Sequence, residues 1–345
     1  MKKTLIALAL VSLPVAASAE VILYGNIRGG VEFTREGTSA QPKSQRNSWG
    51  VVDYGSYIGF KGSEDLGGNL KAIWQVEANT SLGGDSFVNN RDTFIGLEGG
   101  FGTVKVGRVS TPLKRAVDAQ DIWEHDSHIL GLGYYGRFGQ RRTSLNYQSP
   151  DFGGFDFAFQ MAPGSNVHGG RTDDGKPVFG LGLGYKNSGF FARYAVEYAR
   201  KSTSAPGGLK DSHVHNLSAG YDANNLYVAG GIQYGKNVNP VGGDDIDIAT
   251  QSGTANKAKT AEAQLSAAYT FGAVTPKVSV AYGRAKSDSA ATDGGRYLQA
   301  IVGADYAFSR RTTGLVSVGW LREKANSNDK NVNNWGVGTG LVHKF

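Results

Sequence analysis

The last thirteen residues of the chain, Asn333 to Phe345, read NNWGVGTGLVHKF. From Trp335 every second residue is Trp335, Val337, Thr339, Leu341, His343 and Phe345, and those between are Gly336, Gly338, Gly340, Val342 and Lys344. One face is bulky and mostly apolar; the other is largely glycine. A period of two is a β-strand, because successive side chains point to opposite faces. Termini fray unless they are tied down, so a strand this sharp at the end of the chain requires a partner along both edges.

The same period recurs upstream. VILYGNIRGGVEF sets Val21, Leu23, Ile27, Val31 and Phe33 against Tyr24, Asn26, Arg28 and Glu32. LKAIWQVEA sets Leu70, Ala72, Trp74 and Val76 against Lys71, Gln75 and Glu77; FFARYAVEYAR sets Tyr194, Val196 and Tyr198 against Arg193 and Glu197. LQAIVGADYAF repeats the pattern from Leu298 to Phe308. Half-buried strands of about ten residues suit a tilted crossing of a bilayer.

The first residues read as a secretory signal: Lys2 and Lys3, an apolar run from Thr4 to Val15, and Ala17-Ser18-Ala19 as a small-x-small cleavage site. The apolar run is short for a transmembrane anchor. Residues 1–19 are therefore set apart and residues 20–345 form the folded domain. Beyond residue 20 no apolar run reaches the length of a helical span. There is no cysteine, so disulfides and thiol chemistry are excluded. The formal net charge is +6, and losing Lys2 and Lys3 leaves +4. The charges are scattered along the sequence, which gives no nucleic-acid footprint.

Short connections fall at 63–68, 99–102, 150–154, 187–188, 223–225, 271–274 and 309–311. Long polar ones fall near 34–49, 80–90, 110–140, 162–177, 201–212, 236–258, 286–295 and 323–334. Seven short and eight long connections join sixteen strands. The predicted fold is all-β: a closed 16-stranded antiparallel transmembrane β-barrel with short periplasmic turns and long extracellular loops. Closure answers the question set by the last strand, which pairs with the first and leaves no edge in lipid. Phe345 then lies in the periplasmic aromatic girdle. A soluble β-sandwich or propeller would bury the apolar face instead; the signal segment, the terminal phenylalanine and the girdle aromatics weigh against it.

Several segments carry a further resemblance. VILYGNIRGGVEF, GSYIGFKGSEDLGGNLKAIWQVE, NNRDTFIGLEGGFGTVKVGR, NSGFFARY, FGAVTPKVSVAYG, VGADYAFSRRT, LVSVGWL and the closing HKF resemble neisserial-type trimeric porins of Gram-negative bacteria. The matches lie mostly in strands and turns and are spread over most of the chain. The resemblance implies an outer-membrane general porin, a water-filled homotrimeric channel for passive diffusion of ions and small hydrophilic solutes. It implies no enzymatic activity and no cofactor. It also implies contact with outer-membrane lipid and lipopolysaccharide, and an assembly machinery that reads Phe345.

In such porins the third long loop folds into the barrel and narrows it. Here that loop is Ser110 to Gln140, with Asp118, Asp121, Glu124 and Asp126 on it and Arg108, Arg141 and Arg142 flanking it. Folded inward, its carboxylates would face arginines across the pore, and such charges set ion preference. The resemblance places Arg108 at a pore-wall arginine, and Asp118 and Glu124 near the family's acidic loop residues. A loop of this length without secondary structure is functional or disordered. Strand parity adds Arg28, Lys71, Glu77, Arg193 and Lys277 as lumen residues; the pattern around Arg91 and Lys105 is irregular and does not fix their side. Related porins commonly carry a basic residue where this chain has Tyr57, which predicts a less positive wall.

Other patterns carry less. Glu124, His125, Asp126 and His128 have no defined metal spacing. Gly170 to Pro177 approaches a phosphate loop but lacks its Ser or Thr, and the acidic run 242–248 reads as a solvated loop. Gly180, Gly182 and Gly184 read as relief for strand curvature or a close protomer contact. Two other functions compete with the channel: a surface adhesin, and a barrel hydrolase drawing on His125, His128, His168, His213 or His215. No Gly-x-Ser-x-Gly elbow supports the latter.

Overall fold

The structure, a computed structural model, describes residues 20–37, 47–84, 87–88, 91–164, 175–200, 210–238, 258–288 and 293–345. The leader at 1–19, His168, most of 170–177 and the acidic run 242–248 lie outside the described residues.

The chain is almost entirely strand. In order it forms β1 (Glu20–Arg35), β2 (Asn47–Asp53), β3 (Tyr57–Gly67), β4 (Leu70–Thr80), β5 (Phe87–Val88), β6 (Thr93–Gly99) and β7 (Gly102–Ser110). After α1 (Pro112–Asp118) and α2 (Gly133–Gly136) come β8 (Arg141–Gln148), β9 (Phe155–Gly164), β10 (Gly175–Asn187) and β11 (Phe190–Ala199). The last seven are β12 (Ser212–Ala223), β13 (Leu226–Val238), β14 (Ala258–Tyr269), β15 (Val274–Lys286), β16 (Arg296–Ala307), β17 (Thr312–Lys324) and β18 (Val332–Lys344).

Each strand pairs antiparallel with its neighbours in sequence, and β1 pairs with β18 to close the sheet. β2 and β3 run one after the other along β1, and β5 and β6 along β4, so each pair is one interrupted strand and the barrel has sixteen. The first interruption is local chemistry: the Asp53 carboxylate accepts from the amides of Gly55 (2.7 Å) and Ser56 (2.8 Å), and the chain turns there. Seven tight connections share one rim. Three of them, Gly68-Asn69, Ser188-Gly189 and Asn224-Asn225, are two-residue turns with positive φ at both residues, the twist such a hairpin needs.

Side chains alternate as the sequence predicts. On β15 the exposed Val278, Val280 and Tyr282 point outward and the buried Lys277, Ser279 and Ala281 inward. The outward apolar belt needs a lipid solvent, and closure satisfies the backbone groups that lipid cannot.

The apolar core lies inside the barrel, between its wall and loop 111–140. Leu113, Ala116 and Phe138 pack on Ala162, Val178, Ala195, Ala199 and Val214. Val117, Trp123, Ile129 and Tyr135 pack on Ala281, Ala285 and Tyr297. This corrects the expectation of a loop without secondary structure. Thr111 caps α1 by accepting from the Lys114 amide at 3.1 Å, and Pro112 occupies its first turn.

Glycine makes the bed for this loop. A Cβ on Gly182 would lie 3.0 Å from Pro112, one on Gly338 2.5 Å from His125, and one on Gly319 2.1 Å from the Ile129 carbonyl oxygen. The glycine face of the last strand is thus its inner face. Gly180 and Gly182 likewise face inward against Pro112 while Leu181 and Leu183 point out. They make room for a helix, not for a neighbouring protomer.

Candidate pore constriction

Loop 111–140 crosses the lumen and is fastened around much of the wall. Starting at β12, Gln120 accepts from Gln264 (2.9 Å) and donates to Asn216 (3.0 Å). The Trp123 indole donates to Ser279 at 2.9 Å, and Gln299 donates to the carbonyls of His128 (2.9 Å) and Gly131 (2.7 Å). His125 is buried between Glu32 (2.7 Å) and Ser317 (3.0 Å), with its ring 4.6 Å from that of Tyr54. Arg137 forms a two-pronged pair with Glu262 at 2.5 and 2.7 Å, both side chains fully buried, and Tyr297 donates to the same carboxylate at 3.0 Å. The loop therefore lies along the wall from β9 round to β1, and the free side of the lumen is walled by β1 to β8.

The predicted residues fall into distinct settings. Glu124 binds Arg28 directly at 2.5 Å, with Lys344 3.8 Å away, instead of facing an arginine across open water. Asp118 pairs with Lys114 one turn earlier on α1 at 3.1 Å. Arg142 is buried against Glu197 at 2.5 Å. Arg108 and Arg141 are corrections. Arg108 stands opposite Thr93 and Thr143, and Arg141 opposite Ser110, on the parity shared by the outward Val106 and Leu145. Arg141 and Ser110 both bond Asp92 at 2.8 Å. Asp92 in turn lies close enough to act on Lys105 and Arg115.

Lys277 is on the inner wall, held between Asp305 (2.8 Å) and the Ile122 carbonyl (2.9 Å) beneath the Trp123 ring. Lys71 faces inward opposite Glu98 near the tight-turn rim. Arg193 faces inward and lines a small cavity under α1 with Arg115, Gln148 and Asp156. Arg115 donates to Gln148 at 3.2 Å. Burial is the main influence holding its guanidinium below its ordinary value, with Asp92 opposing and Arg193 adding.

Tyr57 faces the lumen, and what covers it changes the expectation of a less positive wall. The Arg91 guanidinium lies 4.1 Å over the Tyr57 ring and bonds Glu77, which also accepts from Tyr24 at 2.9 Å. Lys61 sits over the Tyr24 ring and Lys105 over the Phe94 ring, both on the inward parity. Among the described residues Lys61, Lys71, Lys105, Arg115 and Arg193 have no carboxylate in salt-bridge reach.

Asp121 is half-buried and accepts from the Trp123 amide at 3.0 Å. Burial, reinforced by Asp118, pushes its carboxyl up to about 6 against the pull of the amide and Lys277. No group of three or more potential metal ligands occurs among the described residues. His213 and His215 face outward with Tyr194, away from the lumen.

A closed barrel with an apolar outside and a polar interior narrowed by an inserted loop is an outer-membrane channel. The chain matches the Gram-negative porin family over residues 30–345 and belongs to it. It is 41% identical to the major outer membrane protein P.IB of Neisseria sicca over the full length of both chains. Its fold is similar to that of an anion-selective porin from Comamonas acidovorans, with a TM-score of 0.75, 23% identity, and 95% and 100% of the two chains covered. It is also similar to the trimer form of OmpT, an outer membrane protein of Vibrio cholerae, with a TM-score of 0.65, 14% identity, and 95% and 99% covered. The protein is a general porin of the outer membrane, as the sequence resemblance implies.

Proposed function

We propose that this porin is a homotrimer with a modest preference for anions, set by loop 110–140 and the wall it faces. One observation carries the preference: the loop acids Asp118 and Glu124 are spent on Lys114 and Arg28, while five lumenal cations have no carboxylate in salt-bridge reach among the described residues. In a narrow passage walled by protein such charges act more strongly than on an open surface, where salt screens them within about 8–10 Å. The Comamonas porin is anion-selective and the Vibrio protein has a trimer form; both readings accord with the family.

Reversal potential in a salt gradient tests this. Lys105→Gln and Arg115→Gln should each move selectivity toward cations, and Asp121→Asn toward anions. If all three match wild type, the constriction lies elsewhere. Acidity supplies a second handle. As pH falls from about 7 to 5, Asp121 takes up a proton and the lumen loses a negative charge, so wild type should drift toward anions. Asp121→Asn should lack that step, and an unchanged step in the variant would assign it to another group.

We assign the tight-turn rim and both termini to the periplasm, with residues 1–19 removed on export. Protease added to intact cells should then cut only in the longer connections. Cleavage at 68–69 or 149–154 on sealed cells would invert the barrel.

A further inference from the structure

Three outward side chains of β11 and β12 converge outside the channel. On β12 the stretch His213-Val214-His215 buries Val214 against the inserted loop and leaves both histidines on the outer face. Alternate residues of a strand share a face, with Cα atoms about 6.8 Å apart. The two rings stand nearly at right angles, 82° between planes, and His215 Nε2 lies 3.0 Å from His213 Nδ1. The Tyr194 hydroxyl of β11 lies 2.6 Å from the other nitrogen of the second ring, His215 Nδ1. Both histidines are half-buried. They stand toward the end of β12 away from the tight turns, beyond the outward Leu217 and Ile232, which face each other across the β12–β13 seam. The pair therefore borders water at the edge of the apolar belt.

The facing nitrogens share one proton, and the same place suits a metal ion. Two imidazole nitrogens on one ion, each bonded at about 2.0–2.1 Å, stand about 2.9 Å apart at a right angle and about 3.3 Å apart at the tetrahedral angle. The observed 3.0 Å fits the right angle, which square-planar and tetragonal ions take. Rotation of an imidazole about χ2 is soft, so both lone pairs can turn to one point while the strand stays still. A phenol hydroxyl both donates and accepts. Tyr194 therefore keeps its bond to His215 in the tautomer that carries the proton on Nδ1 and leaves Nε2 to the ion, the usual support for a ligating histidine. Two charges flank the pair and offset each other: Lys236 stands opposite His213 on β13, and Asp211, two residues before His213, accepts from the Tyr198 hydroxyl.

We propose that His213 and His215 chelate a divalent transition-metal ion, copper(II) above all, on the outer face of the barrel, with Tyr194 as a positioning residue and water in the remaining positions. Imidazole donors favour copper(II) over nickel(II) and zinc(II), and they do not hold calcium or magnesium, which take oxygen ligands. Each ring stays neutral with one N–H, at Nε2 of His213 and Nδ1 of His215, so no proton leaves when the ion enters. The site shares no residue with the constriction.

The test uses the full chain, free of any histidine tag and folded in a neutral detergent. Copper(II), nickel(II), zinc(II) and calcium are titrated separately by calorimetry, and the copper spectrum in electron paramagnetic resonance reports the bound nitrogens. Wild type should take one copper(II) per chain with two coupled nitrogens, bind nickel(II) and zinc(II) more weakly, and leave calcium unbound. His213→Gln should bind copper(II) roughly a hundredfold more weakly, because the second bond of a chelate forms at high effective concentration. Should that variant not fold, His215→Gln carries the same expectation. Tyr194→Phe should keep both nitrogens and bind about tenfold more weakly, as loss of a partner behind a ligand does. His343→Gln, which removes an exposed histidine elsewhere on the barrel, should bind as wild type does. No copper binding by wild type, equal affinity in His213→Gln, a single coupled nitrogen in wild type, or calcium bound as tightly as copper would each overturn the site. Wild-type affinity in Tyr194→Phe would overturn the positioning role. Metal-free single-channel conductance should match wild type in every variant, which separates loss of this site from loss of the barrel.

Discussion

Replacing Arg137 by Met should destabilise the barrel by roughly 3–5 kcal/mol and open the channel. Arg137 and Glu262 are both fully buried, joined by two hydrogen bonds, with Tyr297 completing the carboxylate. A lone carboxylate left there would be a buried charge without a partner, the costly outcome of breaking such a pair. The pair also fastens the end of loop 111–140 to β14, next to Tyr134 and Tyr135 of α2. Losing it frees the segment that occupies the lumen. Urea unfolding in lipid micelles should show the loss of stability, and planar-bilayer recordings should show larger, noisier steps. Arg137→Met/Glu262→Leu should recover most of the stability, because matched apolar replacement of a buried pair is close to neutral. Single variants as stable as wild type, or a double variant worse than either single, would sink this account.

The barrel was legible because lipid leaves a chain few options. Strict alternation, closure and short turns follow from satisfying the backbone without water, and each leaves a local mark such as WGVGTGLVHKF. The constriction was less legible because its partners are distant in sequence. Nothing near Glu124 announces Arg28, and nothing near His125 announces Glu32 and Ser317. Some signals were present. Arg108 shares its parity with Val104 and Val106, which places it outside, and the family resemblance pointed the other way. Lys105, one step off that parity, was the lumen residue. Arg91 could not be placed from alternation because the strand breaks between β5 and β6. The inward glycines are readable as a face with nothing on it; only the structure shows that a loop lies there.

Removing Phe345 should lower the amount of assembled barrel on the order of tenfold, because the last residue completes the seam. Its amide donates to the Gly25 carbonyl and its terminal carboxylate accepts from the Gly25 amide, both at 3.1 Å, extending the ten-residue register that runs from Asn26 and Lys344 to Arg35 and Trp335. Without it two backbone groups of β1 lose their partners at a membrane edge, and about 1.4 kcal/mol already makes a tenfold difference. The ring does separate work: it lies where Gly25 has no side chain, and a Cβ added there would sit 2.4 Å from its tip. Phe345→Leu keeps the backbone bonds and should fall between the deletion and wild type. Gly25→Ala should be impaired on its own and partly relieved by Phe345→Leu, as a clash between the two positions requires. Refolding into detergent without any cellular machinery then divides the roles. A defect that persists there belongs to the seam, while one seen only in cells belongs to recognition of the terminal phenylalanine during assembly. Wild-type levels of heat-modifiable barrel from the deletion, in cells and in detergent alike, would leave Phe345 with neither role.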